Sequence, residues 1–199
     1  MKFYDKIILM KKRIFFAIPL KTSLQKELAS FQYQWLKAPI RWVKQKNLHI
    51  TLLFIGQASD EEIGKMSEVI HEIAQHHKPF SLELNKIQLQ PNASQPNLLW
   101  ARAEDNSAFS HLYKDLEHTL REEKLYFPNT ASPRKQIPHI TLGRIQKWQW
   151  KQIEIEERPE IDQSFSLKIP VNEIALFESK LHRQGPEHFI LETAKLNSR

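Results

Sequence analysis

His49-Ile50-Thr51-Leu52-Leu53-Phe54-Ile55-Gly56 and Pro138-His139-Ile140-Thr141-Leu142-Gly143-Arg144 share one tetrapeptide, His-Ile-Thr-Leu, at two remote places in the chain. Nine His and six Thr among 199 residues would produce a His-x-Thr triplet less than once by chance. The tetrapeptide is also good strand sequence. Side chains alternate faces along a strand, so Ile and Leu turn to a core while His and Thr share the other face. Two such strands across a cleft would offer two imidazoles and two hydroxyls to one ligand. His49, His139, Thr51 and Thr141 are therefore the candidate catalytic residues.

Working outward, Ile14–Leu20 is a β-branched and aromatic run, hence a first strand. Thr22 or Ser23 can cap a helix through about Trp35, with Leu24, Leu28, Phe31 and Trp35 on one face. Arg41–Val43 and His49–Ile55 read as short strands. Ser59, followed by Asp60, Glu61 and Glu62, opens a second helix with Met66, Val69, Ile70 and Ile73 inward. Phe80–Ile87 and Asn97–Ala103 predict a strand pair, and Asn106 or Ser107 caps a third helix carrying Phe109, Leu112, Leu116 and Leu120. A polar loop over 128–136 leads into Ile137–Ile145. Alternation returns at Ile153–Ile155, Phe165–Ile169, Glu173–Phe177 and His188–Leu191. Strand–helix–strand–strand occurs twice, with His49 and His139 in corresponding places. The pattern predicts an α+β fold of two similar lobes, each an antiparallel sheet with outer helices, and the site in the cleft between them.

Composition is that of an ordinary globular protein, 41% hydrophobic and 26% charged. No cysteine is present, which removes thiolate metal sites and cysteine nucleophiles and suits a reducing cytoplasm. The net charge of +6 favours phosphate-bearing ligands. Lys11-Lys12-Arg13 before Ile14–Leu20 imitates a signal peptide, but the run is short, holds Pro19 and lacks a small-residue cleavage site. No membrane segment is expected. Residues 1–12 read as an N-terminal extension to a domain over 13–199, and translation can start at Met1 or Met10.

Histidine populates both protonation states near neutral pH, so a pair can supply the base and the acid that opening a phosphodiester ring requires. The residues do not say which histidine plays which part. Thr51 and Thr141 can donate to non-bridging oxygens, and Arg144 can add a bidentate guanidinium. Among the nearby aromatics Phe15, Phe16, Trp42 and Trp100, most belong in the core; for stacking on a base the candidate is whichever of Phe15 and Phe16 faces the cleft, and Phe16 is the choice. His71-Glu72 starts like a helical zinc motif but fails at Gln75. His111 and His118 read as surface; His182 and His188, flanking Gly185-Pro186, read as a turn, with a role at the cleft rim as the alternative. No Gly-rich phosphate loop and no Gly-x-Ser-x-Gly elbow is present.

The paired motifs resemble the 2H phosphoesterase superfamily, and within it the bacterial and archaeal RNA 2′,3′-cyclic phosphodiesterases, historically called 2′-5′ RNA ligases. The likeness spans most of 13–196. It includes Arg13–Ile18, Trp42 and Asn47 before the first motif, and Leu176–Pro186 near the end. It implies metal-independent hydrolysis of an RNA 2′,3′-cyclic phosphate end to a 2′-phosphate, with no cofactor, His49 as proton donor and His139 as proton acceptor. A monomer is expected. The alternatives are reverse chemistry, joining RNA ends through a 2′-5′ linkage, and a noncatalytic RNA-end binding module.

Overall fold

The computed structural model describes residues 11–127, 136–183 and 185–198. Residues 1–10, most of the expected extension, and most of the expected polar loop lie outside the described residues. Lys12 is already in the first strand, paired with Ala58.

Strand β1, Lys12–Pro19, divides its side chains cleanly. Ile14, Phe16 and Ile18 enter the main core, while Phe15 and Ala17 join Ala175 and Phe177 on the opposite face. Helix α1, Thr22–Ser30, has Lys21 at its N-cap with no side-chain cap. Neither Thr22 nor Ser23 plays the expected capping part, because both already lie inside the helix. Its continuation, Phe31–Trp35, tightens into a 3₁₀ turn. Strands β2, Ile40–Trp42, and β3, His49–Ala58, follow.

Helix α2, Asp60–His76, begins with a reciprocal capping box. Ser59 Oγ accepts from the Glu62 amide at 3.3 Å and Glu62 Oε2 accepts from the Ser59 amide at 2.6 Å. Strands β4, Phe80–Gln90, and β5, Leu98–Ala103, form the expected pair. Helix α3, Ser107–Glu122, is capped by Asn106, whose Oδ1 accepts from the Phe109 amide at 3.0 Å. Strand β6, His139–Ile145, carries the second motif. A short helix α4, Lys147–Gln152, comes next, and the strand that alternation predicted at Ile153–Ile155 does not form: a 3₁₀ turn, Ile155–Glu157, starts there instead. The helix buries Trp150 in the core. Strands β7, Asp162–Val171, β8, Glu173–His182, and β9, Gly185–Lys195, complete the chain.

The protein is a mixed α/β structure dominated by antiparallel sheet. Among the described residues the strands form one nine-stranded sheet, in the order β7-β4-β5-β6-β3-β1-β8-β9, with β2 beside β6. Two separate sheets were expected. Instead the halves meet where β3 pairs β6 at a single position, Ile50 with Ile140. β2 takes the rest of that β6 edge, with Trp42 opposite Gly143. A Cβ on Gly143 would stand 2.4 Å from Ile40 Cγ2, so glycine is what lets β2 lie so close. Helix α2 packs on β8 and β9, and α3 packs on α2. One continuous core, including Ile50, Ile140, Met66 and Leu112, runs behind both halves.

Candidate active site

The Ile50–Ile140 pair places the site. In antiparallel register it sets His49 beside Thr141 and Thr51 beside His139. Ile50, Leu52, Ile140 and Leu142 are buried, so the four polar side chains share the opposite face. Diagonal neighbours on adjacent antiparallel strands stand about 7–8 Å apart, a span one phosphate group can bridge.

Both imidazoles are oriented from behind in the same way. His49 Nδ1 donates to the Asn47 carbonyl at 2.7 Å, and His139 Nδ1 donates to the Ile137 carbonyl at 2.8 Å. Each ring thus presents the lone pair of Nε2. The Thr51 hydroxyl donates to His49 Nε2 at 3.0 Å. The His139 ring lies over Trp100, with centroids 3.6 Å apart and planes at 20°.

Asn47 anchors the first motif. It is a buried polar side chain, 4% exposed. Its Nδ2 donates to the Pro186 carbonyl at 2.7 Å, and its Oδ1 accepts from the His188 amide at 3.2 Å. One residue therefore fixes the His49 ring and fastens the β8–β9 hairpin to it. An ion pair between Lys46 and Glu187 adds a second tie. At the hairpin turn Gly185 has φ 111°, in the left-handed region.

A cavity of about 520 Å³ opens on this face. His49, Thr51, Thr141 and Arg144 line it, with Arg13, Arg41 and Lys44 adding positive charge. His139 stands beside the cavity rather than in its wall, close enough to His49 for protonation of one to disfavour protonation of the other. Phe15 lines the wall, 4.9 Å from the His49 ring. Phe16, the expected stacking residue, is fully buried in the core and cannot meet a ligand. The apolar run there leaves the strand phase open, and core packing assigns Phe16 inward and Phe15 outward.

Enclosure of the rings favours their neutral forms. Burial pushes His49 down to about 4, with the nearby His188 and His139 adding to the effect against the Asn47 hydrogen bond. His139 is lowered too, by burial. His188, expected in a turn with a place at the cleft rim as the alternative, belongs to strand β9 and lines the cavity 5.1 Å from His49. Nothing near it in the chain signals this, since the hairpin brings it in. His71 instead pairs with Glu192, and among the described residues no three His, Asp or Glu side chains converge to hold a metal.

Comparison with known proteins identifies the family. A family model described as LigT-like phosphoesterase matches residues 18–100 and 107–188, spanning both motifs. The chain belongs to the LigT-like phosphoesterase family. This phosphoesterase is 31% identical over 191 residues to the RNA 2′,3′-cyclic phosphodiesterase of Thermus thermophilus, covering 92% of this chain and 90% of that one. The protein of the same name from Methanocaldococcus jannaschii is 27% identical, covering 90% and 98%. The crystal structure of TT0787 of Thermus thermophilus superposes with a TM-score of 0.77 at 30% identity, covering 94% and 99%. Escherichia coli LigT complexed with 3′-AMP shares the fold, with a TM-score of 0.74 at 22% identity over 94% and 98%.

Proposed function

We propose that this LigT-like phosphoesterase hydrolyses RNA 2′,3′-cyclic phosphate ends to 2′-phosphates, with His49 as acid and His139 as base. The observation that carries it is the quartet of His49, Thr51, His139 and Thr141 gathered on one face at the sheet's central seam. The similarly named relatives support the substrate class. The two halves of the sheet serve as lobes, each supplying one histidine within a domain over 13–199, and a single chain suffices. RNA ends of this kind and the absence of cysteine both fit work in the cytoplasm. Among the described residues no helix is long and apolar enough to cross a membrane.

The geometry supplies two equivalent Nε2 lone pairs, and the resemblance to the cyclic phosphodiesterases assigns which ring is acid and which is base. His139 Nε2 takes a proton from water as the water oxygen bonds to phosphorus. The bond from phosphorus to O3′ breaks, and O3′ leaves with a proton from His49 Nε2. The products are a 2′-phosphomonoester and a free 3′-hydroxyl. His49 is neutral in the unliganded protein, so it must gain its proton with substrate. The bound phosphate anion supplies the attraction, as an opposite charge nearby favours the imidazolium. Arg144 and the threonine hydroxyls face the non-bridging oxygens, where charge grows in the transition state.

An oligonucleotide ending in a 2′,3′-cyclic phosphate tests this. His49→Ala and His139→Ala should each slow turnover by roughly 10²–10⁴ without unfolding the protein, and a chelator should leave the native rate unchanged. Full activity in either variant removes that ring from the mechanism. A 3′-phosphate product would reverse the leaving group. Joined ends would show the ligase reaction, and binding without turnover would mark a noncatalytic module.

A further inference from the structure

His188 is a third imidazole of the cavity that the two motifs do not account for. It belongs to β9, opposite Ser179 of β8, and its amide is held by Asn47 Oδ1. Its ring meets His49 edge-on, with centroids 5.1 Å apart and planes at 71°, and meets Phe15 edge-on at 5.0 Å and 69°. Nδ1 is enclosed, without a hydrogen-bond partner among the described residues. The ring nonetheless lines the cavity, which leaves Nε2 as the nitrogen available to a ligand.

The surroundings define that ligand. Burial lowers the affinity of His188 for a proton, and the Arg144 guanidinium is near enough to lower it further. His49 and Arg144 line the same cavity. Three groups that carry or can accept positive charge thus surround one space, and their mutual repulsion is relieved when an anion fills it. An apolar residue would fill the wall between Phe15 and His49 equally well, so packing alone does not call for an imidazole.

We propose that His188 is a substrate-binding residue that donates from Nε2 to a non-bridging oxygen of the phosphate held between His49 and Arg144. This rests on the cyclic-phosphate reading of the cavity. On binding, the ring takes up a proton and becomes a charged donor, a hydrogen bond of the stronger class.

Histidine ring nitrogens in the full-length protein can be followed by ¹H–¹⁵N correlation while inorganic phosphate is added. The His188 Nε2 signal should move, with the shift saturating as phosphate binds. In parallel, His188→Leu should weaken phosphate binding and lower kcat/KM on a cyclic-phosphate oligonucleotide by about 10- to 10²-fold, the worth of one hydrogen bond to a charged group. His188→Gln, which restores an N–H donor at similar reach, should return to within a few-fold of the native value. A His188 signal unmoved at saturating phosphate overturns the proposal, as does a leucine variant that binds and turns over normally, or a glutamine variant no better than leucine. If the native protein binds phosphate but hydrolyses no cyclic phosphate, the reaction is wrong, while the titration still decides the contact. Should the leucine variant fail to fold, the titration and the glutamine variant decide it.

Discussion

His49 links the chemistry of the site to the stability of the chain. Unfolded, its ring binds a proton at about the ordinary 6.5; folded, only at about 4. Between those values the unfolded chain holds more protons, so acid favours unfolding. The contribution is whole above 6.5 and is lost as pH falls through about 4. Its size is on the order of 3 kcal/mol. Burial lowers His139 and His188 in the same direction. Urea midpoints between pH 7 and pH 4 should therefore fall more steeply in the native protein than in His49→Ala; parallel curves would show that the ring is not enclosed. The histidine and threonine pairs were readable in the sequence because a strand's two-residue period assigns faces without tertiary information. Phe15 and Phe16 were not, because Ile14-Phe15-Phe16-Ala17-Ile18 is apolar on both faces and offers no phase. His188 was left between turn and cleft rim for a different reason. Its partners, Phe15 and His49, come from β1 and β3, and only the hairpin brings it to them.

At the scale of elements, the most demanding contact is that of β2 against β6. Gly143 follows directly on the second motif and precedes Arg144, with the Ile40 methyl where its Cβ would be. Ile40 is buried and β-branched, so it can yield little. Gly143→Ala should cost about 1–3 kcal/mol of stability through overpacking. It should also lower kcat/KM, since Arg144 shares the displaced strand. Thermal melting and steady-state kinetics check both, and an unchanged melting temperature would show that β2 moves aside freely. The sequence announced most elements through their ends: Ser59 with Glu62, and Asn106, make the caps that they imply. It did not announce α4, where Trp148 and Trp150 resemble strand residues and six residues hold too little period to settle the matter.

For the whole molecule, a net charge of +6 gains local meaning from Arg13, Arg41, Lys44 and Arg144 around one opening. A ligand that binds only the folded state stabilises it by about 2.7 kcal/mol at a hundred times its Kd. For a chain of this length that corresponds to roughly 5–10 °C in Tm. Inorganic phosphate should produce such a rise and chloride at equal ionic strength should not; equal effects would mean that the site binds no anion. The continuity of the sheet was hidden from sequence reading, because a single bridging pair leaves no pattern of its own.

That narrow junction decides what holds the two histidines in line. One rung of backbone ladder, Ile50 to Ile140, is a poor brace, whereas the hydrocarbon shared behind both halves is broad. Alignment of the two imidazoles is thus delegated to buried hydrocarbon such as Met66 and Leu112, remote from the cavity lining. Repacking at that depth can shift one ring against the other without altering any residue that lines the cavity.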